Sequence, residues 1–355
     1  MRSIREIKKI KGKTVLVRVD FNVPIKDGKV LDAFRIKKAL PTIKFLEKKG
    51  AKIILITHLG RNGSESLEPV IKLFFKFSKC SRTQVSFFEN IRKFDGEATN
   101  SSSFTKDLVK LGDFYVNEAF SVSHRAHASI VGLPKLLPSY AGFQLEEEIK
   151  NLSKVFKSPK HPFLFILGGA KFETKLPIIK KYLKIADHLF IGGAILNDFL
   201  KARGYEIGVS LVSDKNYGIE KICKNKKIIL PEYVIVKNEN GKYKEKNIKD
   251  VLETDNILDV GSKEIEKIKP YIKNAKLIVW NGPLGKYEAG GAKTTKQILK
   301  LVAQSKAESI IGGGDTVDLI SEMKMINKFS FISTGGGATL DFLANGTLPG
   351  IKALQ

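Results

Sequence analysis

The sequence predicts an α/β protein made of two doubly wound, Rossmann-like parallel-sheet domains joined by a connecting helix and hinge. Three observations predict this fold class. Strand-like and helix-like segments alternate along the chain, which is typical of parallel βα units. The 355 residues exceed one ordinary hydrophobic core and suit two domains. In the second half, hydrophobic strands repeatedly run into a glycine cluster and then into a helix-like segment.

The first half contains four strand candidates with two helical segments among them. The strand candidates are KTVLVRVDFNV (13–23), AKIILITHL (51–59), VSFFENI (85–91) and DFYVNEAF (113–120). The helical segments are FRIKKALPTIKFLEKKG (34–50) and SLEPVIKLFFKFSK (66–79), whose apolar residues recur at i, i+3 and i+4. That spacing gives each helix one apolar face for packing on a sheet.

The segment LEEEIKNLSKVFKSPKHP (145–162) predicts an amphipathic helix followed by a proline-bounded break. We place the domain junction there. The expected boundaries are residues 1–145 for the N-terminal domain, 146–161 for the connecting helix and hinge, and 162–339 for the C-terminal domain.

Five glycine-ended units follow the junction. They are FLFILGGAKFETK (163–175), HLFIGGAILNDF (188–199), LIVWNGPLGKYE (277–288), SIIGGGDTVDLI (309–320) and SFISTGGGATLDF (330–342). Glycine lets a backbone approach a ligand closely, and a helix N-terminus offers unpaired N–H groups and a positive dipole end. Five such turns at one end of a parallel sheet would form a phosphate-binding rim.

The segment EYVIVKNENGKYKEKNI (232–248) has a different pattern from the glycine-ended units. It predicts a strand, a turn at Asn240–Gly241 and a second, polar strand. We expect this hairpin to decorate the second domain rather than to carry the active site.

Charge and composition argue against several classes of function. The net charge is +24, but the lysines are spread along the chain without a dense basic block or interleaved aromatic residues, so a dedicated nucleic-acid partner is not favoured. No apolar run is long enough for a membrane helix, and the N-terminus lacks the apolar core of a secretory signal. Cys80 and Cys223 suggest neither a disulfide framework nor a zinc site. We expect a cytoplasmic protein, and nothing demands more than a monomer.

Charged and polar residues end the strands of the first half. They are Asp20 and Asn22, His58 and Arg61, Arg92, and Arg125, with Arg35 at the start of the first helix. Ligands of open α/β sheets bind outside the carboxyl ends of the strands, so these side chains should converge. Arginine forks match carboxylate and phosphate oxygens. The set predicts a pocket for a small, multiply anionic molecule.

Two histidines, His124 and His127, invite a metal-site interpretation because they lie three residues apart. No third ligand of a zinc pattern is near them in the sequence. A positional or hydrogen-bonding role is the better interpretation.

The second half has no Walker P-loop and no GxGxxG dinucleotide fingerprint. We therefore expect the glycine turns together to hold phosphates. Lys171 and Lys175 should share one helix face and neutralise phosphate charge. Asp315 suits Mg²⁺, Thr316 can donate to phosphate, and Glu288 could bind ribose hydroxyls.

An anion pocket in one domain and a nucleotide rim in the other predict group transfer across a cleft. Phosphoryl transfer requires that water be excluded. We therefore expect the domains to hinge together when both ligands are bound.

Seven motifs in this order resemble the phosphoglycerate kinase family, from about residue 12 to the C-terminus. They are VRVDFNVP, THLGR, NEAFSVSHRAHAS, LGGAK, WNGPLGKYE, GGGDT and STGGGA with the closing LPGIKALQ. The resemblance implies reversible phosphoryl transfer from 1,3-bisphosphoglycerate to Mg-ADP, giving 3-phosphoglycerate and ATP, by in-line transfer in a closed interdomain cleft. It also implies that the C-terminal tail, residues 340–355, packs on the N-terminal domain.

The resemblance implies a role for individual residues. The implied glycerate-binding residues are Asp20, Phe21, Asn22, Arg35, His58, Leu59, Gly60, Arg61, Arg92 and Arg125. The implied nucleotide-binding residues are Gly169, Lys171, Lys175, Gly193, Asn281, Pro283, Glu288, Gly313, Gly314, Asp315 and Thr316, with Asp315 on the metal. The implied catalytic residues are Arg35, Lys171, Gly314 and Gly337, with Gly335–Gly337 presenting a helix N-terminus to the transferring group.

Some positions depart from the family pattern. Thr174 and Ser262 replace a usual aspartate and proline, and Lys286–Tyr287 replace a hydrophobic–aromatic pair. The stretch between Arg61 and Arg92 is shorter than usual, as if a strand and a helix were missing. The first hypothesis is an active glycolytic kinase. The alternatives are a catalytically impaired relative that binds nucleotide or nucleic acid, and another acyl-phosphate kinase on the same fold.

Overall fold

A parallel β-sheet organises each half of the chain in the computed structural model, which describes residues 1–215, 217–286 and 292–355. The strands are β1 (Thr14–Arg18), β2 (Ile25–Lys26), β3 (Lys29–Val30), β4 (Lys52–Ile56), β5 (Val85–Phe87), β6 (Phe114–Asn117), β7 (Ser139–Ala141), β8 (Phe163–Leu167), β9 (His188–Ile191), β10 (Ile228–Ile229), β11 (Tyr233–Lys237), β12 (Tyr243–Asn247), β13 (Asn256–Val260), β14 (Leu277–Asn281), β15 (Glu308–Gly312) and β16 (Phe331–Ile332). The α-helices are α1 (Phe34–Lys48), α2 (Glu68–Ser78), α3 (Asp95–Ala98), α4 (Ser102–Val109), α5 (Leu133–Leu136), α6 (Phe143–Lys157), α7 (Phe172–Ile185), α8 (Ile195–Ala202), α9 (Glu264–Asn274), α10 (Lys293–Gln304), α11 (Gly314–Glu322), α12 (Gly337–Asn345) and α13 (Pro349–Lys352).

Two compact units make up the chain. Unit 1 comprises Met1–Lys150 and Asn345–Gln355, and unit 2 comprises Asn151–Ala344. The division falls inside α6. No helix among residues 1–215, 217–286 and 292–355 has the length and apolar character needed to cross a membrane.

Unit 1 is built on a parallel sheet with the described strand order β5-β4-β1-β6-β7. The chain moves outward from β1 through β4 to β5, then returns to the other side of β1 with β6 and β7. The order therefore reverses between β1 and β6, which is where open α/β sheets bind ligands. The four predicted strands and both predicted helices are present. The short strand β7 and the small antiparallel hairpin β2–β3 were not predicted.

Helix α1 illustrates how the core of unit 1 forms. It buries Ile36, Ala39, Ile43 and Leu46, a spacing that keeps one face of the helix on the sheet. The strand β1 is buried from Val15 onward, as expected for a central parallel strand covered on both faces.

Unit 2 contains a parallel sheet with the described order β10-β9-β8-β14-β15-β16. The five glycine-ended strands predicted from the sequence are neighbours in it, namely β9, β8, β14, β15 and β16. Their glycine turns therefore lie at the same end of one sheet, which confirms the predicted fold class. The strand order reverses between β8 and β14.

A second sheet of unit 2 is antiparallel, with the described order β12-β11-β13. Strands β11 and β12 form the predicted hairpin. The turn between them contains Gly241 with φ +74°, a left-handed conformation that glycine adopts without a steric penalty. The hairpin prediction is confirmed.

Helix α6 begins at Phe143, two residues before the predicted start. Unit 1 supplies partners for its first N–H groups, which have none within a helix. The Phe143 N–H donates to Thr42 Oγ1 at 2.9 Å, and the Gln144 N–H donates to the Glu118 carboxylate at 3.2 Å. The C-terminal segment also lies in unit 1, where the Gly350 N–H donates to the Ser123 carbonyl at 2.8 Å.

Candidate active site

The predicted polar residues of unit 1 lie beyond the carboxyl ends of four neighbouring strands. Asp20 and Asn22 follow β1, the run His58–Arg61 follows β4, Arg92 follows β5, and Arg125 follows β6. Because these strands are adjacent and parallel, the residues gather at one edge of the sheet.

Asp20 is the centre of this group. Its carboxylate accepts from Arg35 Nη1 at 2.6 Å, from the Asn22 N–H at 3.1 Å, and from the Ser121 hydroxyl. Burial raises the pKa of Asp20, but Arg35 and His58 outweigh it, so the net pKa lies well below the usual range. Asp20 is therefore ionised at neutral pH and fixes Arg35, the predicted catalytic arginine, in position.

Asn22 and Arg92 tie neighbouring strand ends together. The Gly60 N–H donates to Asn22 Oδ1 at 2.9 Å, and Arg92 Nη1 donates to the Gly60 carbonyl. The same nitrogen lies 3.5 Å from the Arg61 carbonyl oxygen. Because these bonds reach backbone atoms of Gly60 and Arg61, they fix the backbone conformation of the His58–Arg61 run.

Three of the predicted arginines line one open pocket of about 640 Å³. The lining residues are Arg61, Arg92, Phe94, Asp95, Glu97, Ala98, Thr99, Arg125 and His127. Burial, together with the charges of Arg125 and Arg18, lowers the pKa of Arg92. Such a concentration of positive charge favours a small ligand with several anionic groups.

Phe21 and Leu59 contribute to this region differently from the polar residues. Both side chains are buried in the hydrophobic core of unit 1, and the Phe21 ring centroid lies 5.9 Å from that of Phe74. Their N–H groups bond internally to Thr57 Oγ1 and Asn90 Oδ1. The structure therefore gives these two residues a packing role and fixes the backbone beside the pocket.

Sequence reasoning missed several polar residues around this group, among them Ser121, Arg18 and Glu97. Ser121 donates to Asp20, Arg18 contacts His58, and Glu97 lies at the pocket edge. Arg18 carried a signal, because a charged residue interrupts the apolar run VLVRV of a central strand. Nothing in the sequence around Ser121 or Glu97 distinguished them from surface residues.

The glycine turns of unit 2 pack backbone against backbone. The Gly168, Gly169 and Gly193 N–H groups donate to the carbonyls of Asn281, Pro283 and Leu284 at 3.0, 2.9 and 2.8 Å. Gly193 has φ +63°, and a Cβ there would lie 2.5 Å from the Gly169 nitrogen. A side chain does not fit at that position without displacing the rim.

A pocket of about 430 Å³ opens beside this rim. It is lined by Gly169, Ala170, Gly193, Ala194, Leu196, Asn197, Val209, Leu211, Asn256, Ile257, Leu258, Asp259, Pro283, Leu284, Gly285, Lys286 and Asp315. Four predicted nucleotide-binding residues are among them, namely Gly169, Gly193, Pro283 and Asp315. The aliphatic lining suits a planar, largely apolar ring, and the glycine rim offers room for phosphates.

We expected Lys171 and Lys175 to share one face of a helix, but the structure places them differently. Lys171 precedes α7 as its N-cap and is exposed, whereas Lys175 is buried in the first turns. Lys175 Nζ donates to Asn281 Oδ1 at 3.0 Å. Burial lowers the pKa of Lys175 to about 8, although Asp315 opposes that shift.

Two helix N-termini meet at the end of the sheet in unit 2. Gly313, with φ +99°, is the N-cap of α11, whose first residues are Gly314, Asp315 and Thr316. A Cβ built on Gly336, one residue before α12 starts at Gly337, would lie 3.8 Å from the Gly314 nitrogen. Two positive helix ends at one place favour an anion.

Thr316 and Glu288 complete the predicted set. The Thr316 hydroxyl is buried and finds no hydrogen-bond partner among the residues that the structure describes. Glu288 lies outside the described residues.

The comparisons with known proteins agree with each other. The family model described as phosphoglycerate kinase matches residues 4–346. The phosphoglycerate kinase of Coprothermobacter proteolyticus is 39% identical over an alignment of 391 positions, covering 100% of this chain and 98% of the relative. That of Dictyoglomus turgidum is 40% identical over an alignment of 381 positions, covering 98% of this chain and 96% of the relative.

Solved structures give the same result. The phosphoglycerate kinase from Coxiella burnetii aligns with a TM-score of 0.83 and 34% identity, covering 99% of this chain and 98% of that chain. The phosphoglycerate kinase from Pyrococcus horikoshii OT3 aligns with a TM-score of 0.88 and 30% identity, covering 100% and 98%.

Two doubly wound units, one with an arginine-lined pocket and one with a glycine rim, define an α/β phosphotransferase. The chain belongs to the phosphoglycerate kinase family. It is a glycolytic kinase that transfers a phosphoryl group between 1,3-bisphosphoglycerate and ADP, with ADP and ATP as co-substrates. Nothing in the comparisons supports the impaired-relative alternative.

Proposed function

We propose that unit 1 binds the glycerate substrate and unit 2 binds the nucleotide. The glycerate residues are Asp20, Asn22, Arg35, His58, Gly60, Arg61, Arg92 and Arg125, with Phe21 and Leu59 holding the backbone beside them. The pocket lined by Arg61, Arg92 and Arg125 supports this assignment, because the phosphate and carboxylate of 3-phosphoglycerate are both anionic.

The nucleotide lies with its phosphates on the glycine rim and its base among the aliphatic side chains of the adjoining pocket. The observation that carries this assignment is the meeting of two helix N-termini, at Gly314 and Gly337, beside that pocket. Lys175, held by its bond to Asn281, supplies positive charge to the phosphates. The Thr316 hydroxyl, which has no partner among the described residues, donates a further hydrogen bond to them.

Asp315 would hold Mg²⁺ together with the nucleotide phosphates. The described residues contain no group of three or more His, Cys, Asp or Glu side chains that could hold a metal. A single carboxylate fits Mg²⁺, which usually binds one or two carboxylates together with phosphates and water. Bound there, the ion would neutralise phosphate charge.

Four groups stabilise the charge of the phosphoryl group during transfer. Arg35 and Lys171 supply positive charge, and the N–H groups at Gly314 and Gly337 supply donors at helix ends. Phosphoryl transfer makes few covalent demands on a protein, so positioning and charge stabilisation account for most of its catalysis. We also propose a cytoplasmic, monomeric enzyme, in keeping with a glycolytic role on small-molecule substrates.

The variant Lys171→Ala tests the catalytic assignment. Because Lys171 is exposed, we expect the fold to survive, with kcat falling by roughly 10²- to 10³-fold, the usual cost of removing one charge-stabilising group. Lys180→Ala, an exposed lysine on the same helix, is the matched control and should retain wild-type kcat. Wild-type kcat in Lys171→Ala would show that Lys171 has no part in the transfer.

A further inference from the structure

Four buried residues of unit 1 contact one another in series, and we call this series the relay. It runs from Glu97 through Ser129 and Arg18 to His58. Glu97 lies on α3 at the edge of the arginine-lined pocket and is only 1% exposed. Its carboxylate accepts the Ser129 N–H at 2.9 Å and the Ser129 hydroxyl at 2.6 Å. Ser129 is therefore held by both its backbone and its side chain.

Ser129 in turn holds Arg18. Arg18 Nε donates to Ser129 Oγ at 2.8 Å, and Arg18 Nη1 donates to the Val19 carbonyl at 2.5 Å. No carboxylate among the described residues forms an ion pair with Arg18, which is 1% exposed. Its negative counterpart is Glu97, which reaches it through one hydroxyl group.

The last residue of the relay is His58. Arg18 Nη2 lies 3.4 Å from His58 Nδ1. A guanidinium group only donates hydrogen bonds, so Nδ1 must be the acceptor in this contact. An imidazole whose Nδ1 accepts is neutral and carries its proton on Nε2.

We propose that Glu97 and Ser129 are positioning residues that act through Arg18 to hold His58 as the neutral, Nε2-protonated tautomer. The Nε2–H group then serves as a donor to the anionic glycerate substrate. This second step rests on the proposed function of unit 1, whereas the relay from Glu97 to His58 Nδ1 does not.

The alternative states of His58 involve Asp20. His58 Nδ1 lies 4.0 Å from Asp20 Oδ1, so a proton on Nδ1 would face a carboxylate. Without Arg18 in place, that tautomer becomes favourable, and Nε2 would then present a lone pair to an anionic substrate. The contact from Arg18 selects the opposite tautomer.

The charges that face His58 keep it neutral. Burial lowers its pKa most, Asp20 raises it, and the cations Arg18, Arg92 and Arg125 lower it, giving a pKa of about 3. Burial raises the pKa of Glu97, but the contact with His127, whose Nδ1 lies 3.6 Å from Glu97 Oε1, the charge of Arg18 and the bonds from Ser129 lower it by more, so its pKa lies below the ordinary value. Both ends of the relay therefore keep one charge state across neutral pH.

The test is the ¹⁵N spectrum of histidine-labelled protein. The chain has five histidines, and His58 is assigned by loss of its signal in His58→Gln. The variant Ser129→Ala removes the hydroxyl and leaves the backbone bond to Glu97. Ser139→Ala is the matched control, because Ser139 is also a buried serine of unit 1 but its hydroxyl bonds only to the carbonyls of Pro134 and Leu137.

We expect wild-type His58 to be neutral with an acceptor-type Nδ1 from pH 6 to 8. In Ser129→Ala an Nδ1-protonated form should appear, and KM for 3-phosphoglycerate should rise roughly two- to tenfold, the range for one hydrogen bond. KM for ATP should stay unchanged, and Ser139→Ala should match the wild type in every measurement.

Two results would overturn the relay. The first is a protonated or Nδ1–H His58 in the wild type, which can be read without the Ser129→Ala variant once the His58 signal is assigned. The second is an unchanged His58 spectrum in folded Ser129→Ala. A changed spectrum with an unchanged KM for 3-phosphoglycerate would support the relay and contradict the placement of His58 against the substrate.

Discussion

The ammonium group of Lys175 lies inside unit 2, where few lysines would remain charged without a partner. Its Nζ donates to Asn281 Oδ1 at 3.0 Å, and burial lowers its pKa to about 8. A phosphate bound at the glycine rim would favour the charged form and raise this pKa. Nucleotide binding and proton binding at Lys175 are therefore linked.

The linkage predicts the pH dependence of ADP affinity. Below about pH 8 Lys175 is charged with or without ADP, so affinity is at its maximum. Between about pH 8 and the higher pKa of the complex, binding takes up a proton, and affinity falls by up to about tenfold per pH unit. Calorimetry at pH 8.5 in buffers of different ionisation heats measures the proton uptake.

The matched pair for this experiment is Lys175→Met and Lys180→Met. The first should bind ADP weakly without proton uptake, and the second should behave as the wild type because Lys180 is exposed. Equal proton uptake in Lys175→Met would show that another group titrates.

At the residue scale, the sequence predicted which charged residues gather at the sheet edge of unit 1, but not which residues hold them in place. The positions of Asp20 and Arg92 were predictable, because each follows a parallel strand and the carboxyl ends of such strands lie at one edge of the sheet. The packing role of Phe21 was not predictable, because only the fold shows which way its ring points. Arg18 and Ser129 lie 111 positions apart, and no local pattern predicts their contact.

At the scale of elements, the rim of unit 2 depends on the close approach of three turns. The turns after β8, β9 and β14 bond to one another through the backbones of Gly168, Gly169 and Gly193. Glycine allows this approach because no Cβ separates the chains. The spacing of the strands and the glycines together set the shape of the rim.

The pair Gly193→Ala and Gly204→Ala tests this dependence. Both glycines have positive φ, +63° and +83°, so both variants should lose about 1 kcal/mol of stability from backbone strain, and Gly193→Ala should lose more because its Cβ overlaps backbone atoms. A Cβ at Gly204 meets nothing within 4 Å, whereas one at Gly193 would lie 2.5 Å from the Gly169 nitrogen. We expect ADP affinity to fall at least about tenfold only in Gly193→Ala.

Thermal unfolding measures the stability of both variants, and titration with ADP measures their ADP affinity. Equal ADP affinity in the two variants would mean that the rim does not hold the nucleotide.

Elements with strong periodic patterns were predictable, and those fixed by distant contacts were not. Strands β8 and β14 are continuous apolar runs, and α1 has clear helical spacing. The three-residue strand β7 exists because β6 offers it a free edge. The start of α6 depends on Thr42 and Glu118, which no local sequence reveals.

At the scale of the whole molecule, the chain is a shorter version of its family. Its alignment with one relative spans 391 positions, although the chain has 355 residues, so the relative carries additional segments. The departures from the family pattern are accommodated locally. Thr174 Oγ1 donates to the Lys171 carbonyl at 2.8 Å, and Ser262 Oγ donates to Glu245 at 2.7 Å.

The most direct test of the function is ATP formation by the purified protein supplied with 1,3-bisphosphoglycerate and ADP, with Mg²⁺ or with excess EDTA. We expect rapid ATP formation with Mg²⁺ and its loss in EDTA, because Asp315 and the nucleotide phosphates would hold the ion. ATP formation that persists in EDTA would contradict the proposed metal. No ATP in either condition, from folded protein that still binds ADP, would contradict the assignment as an active kinase.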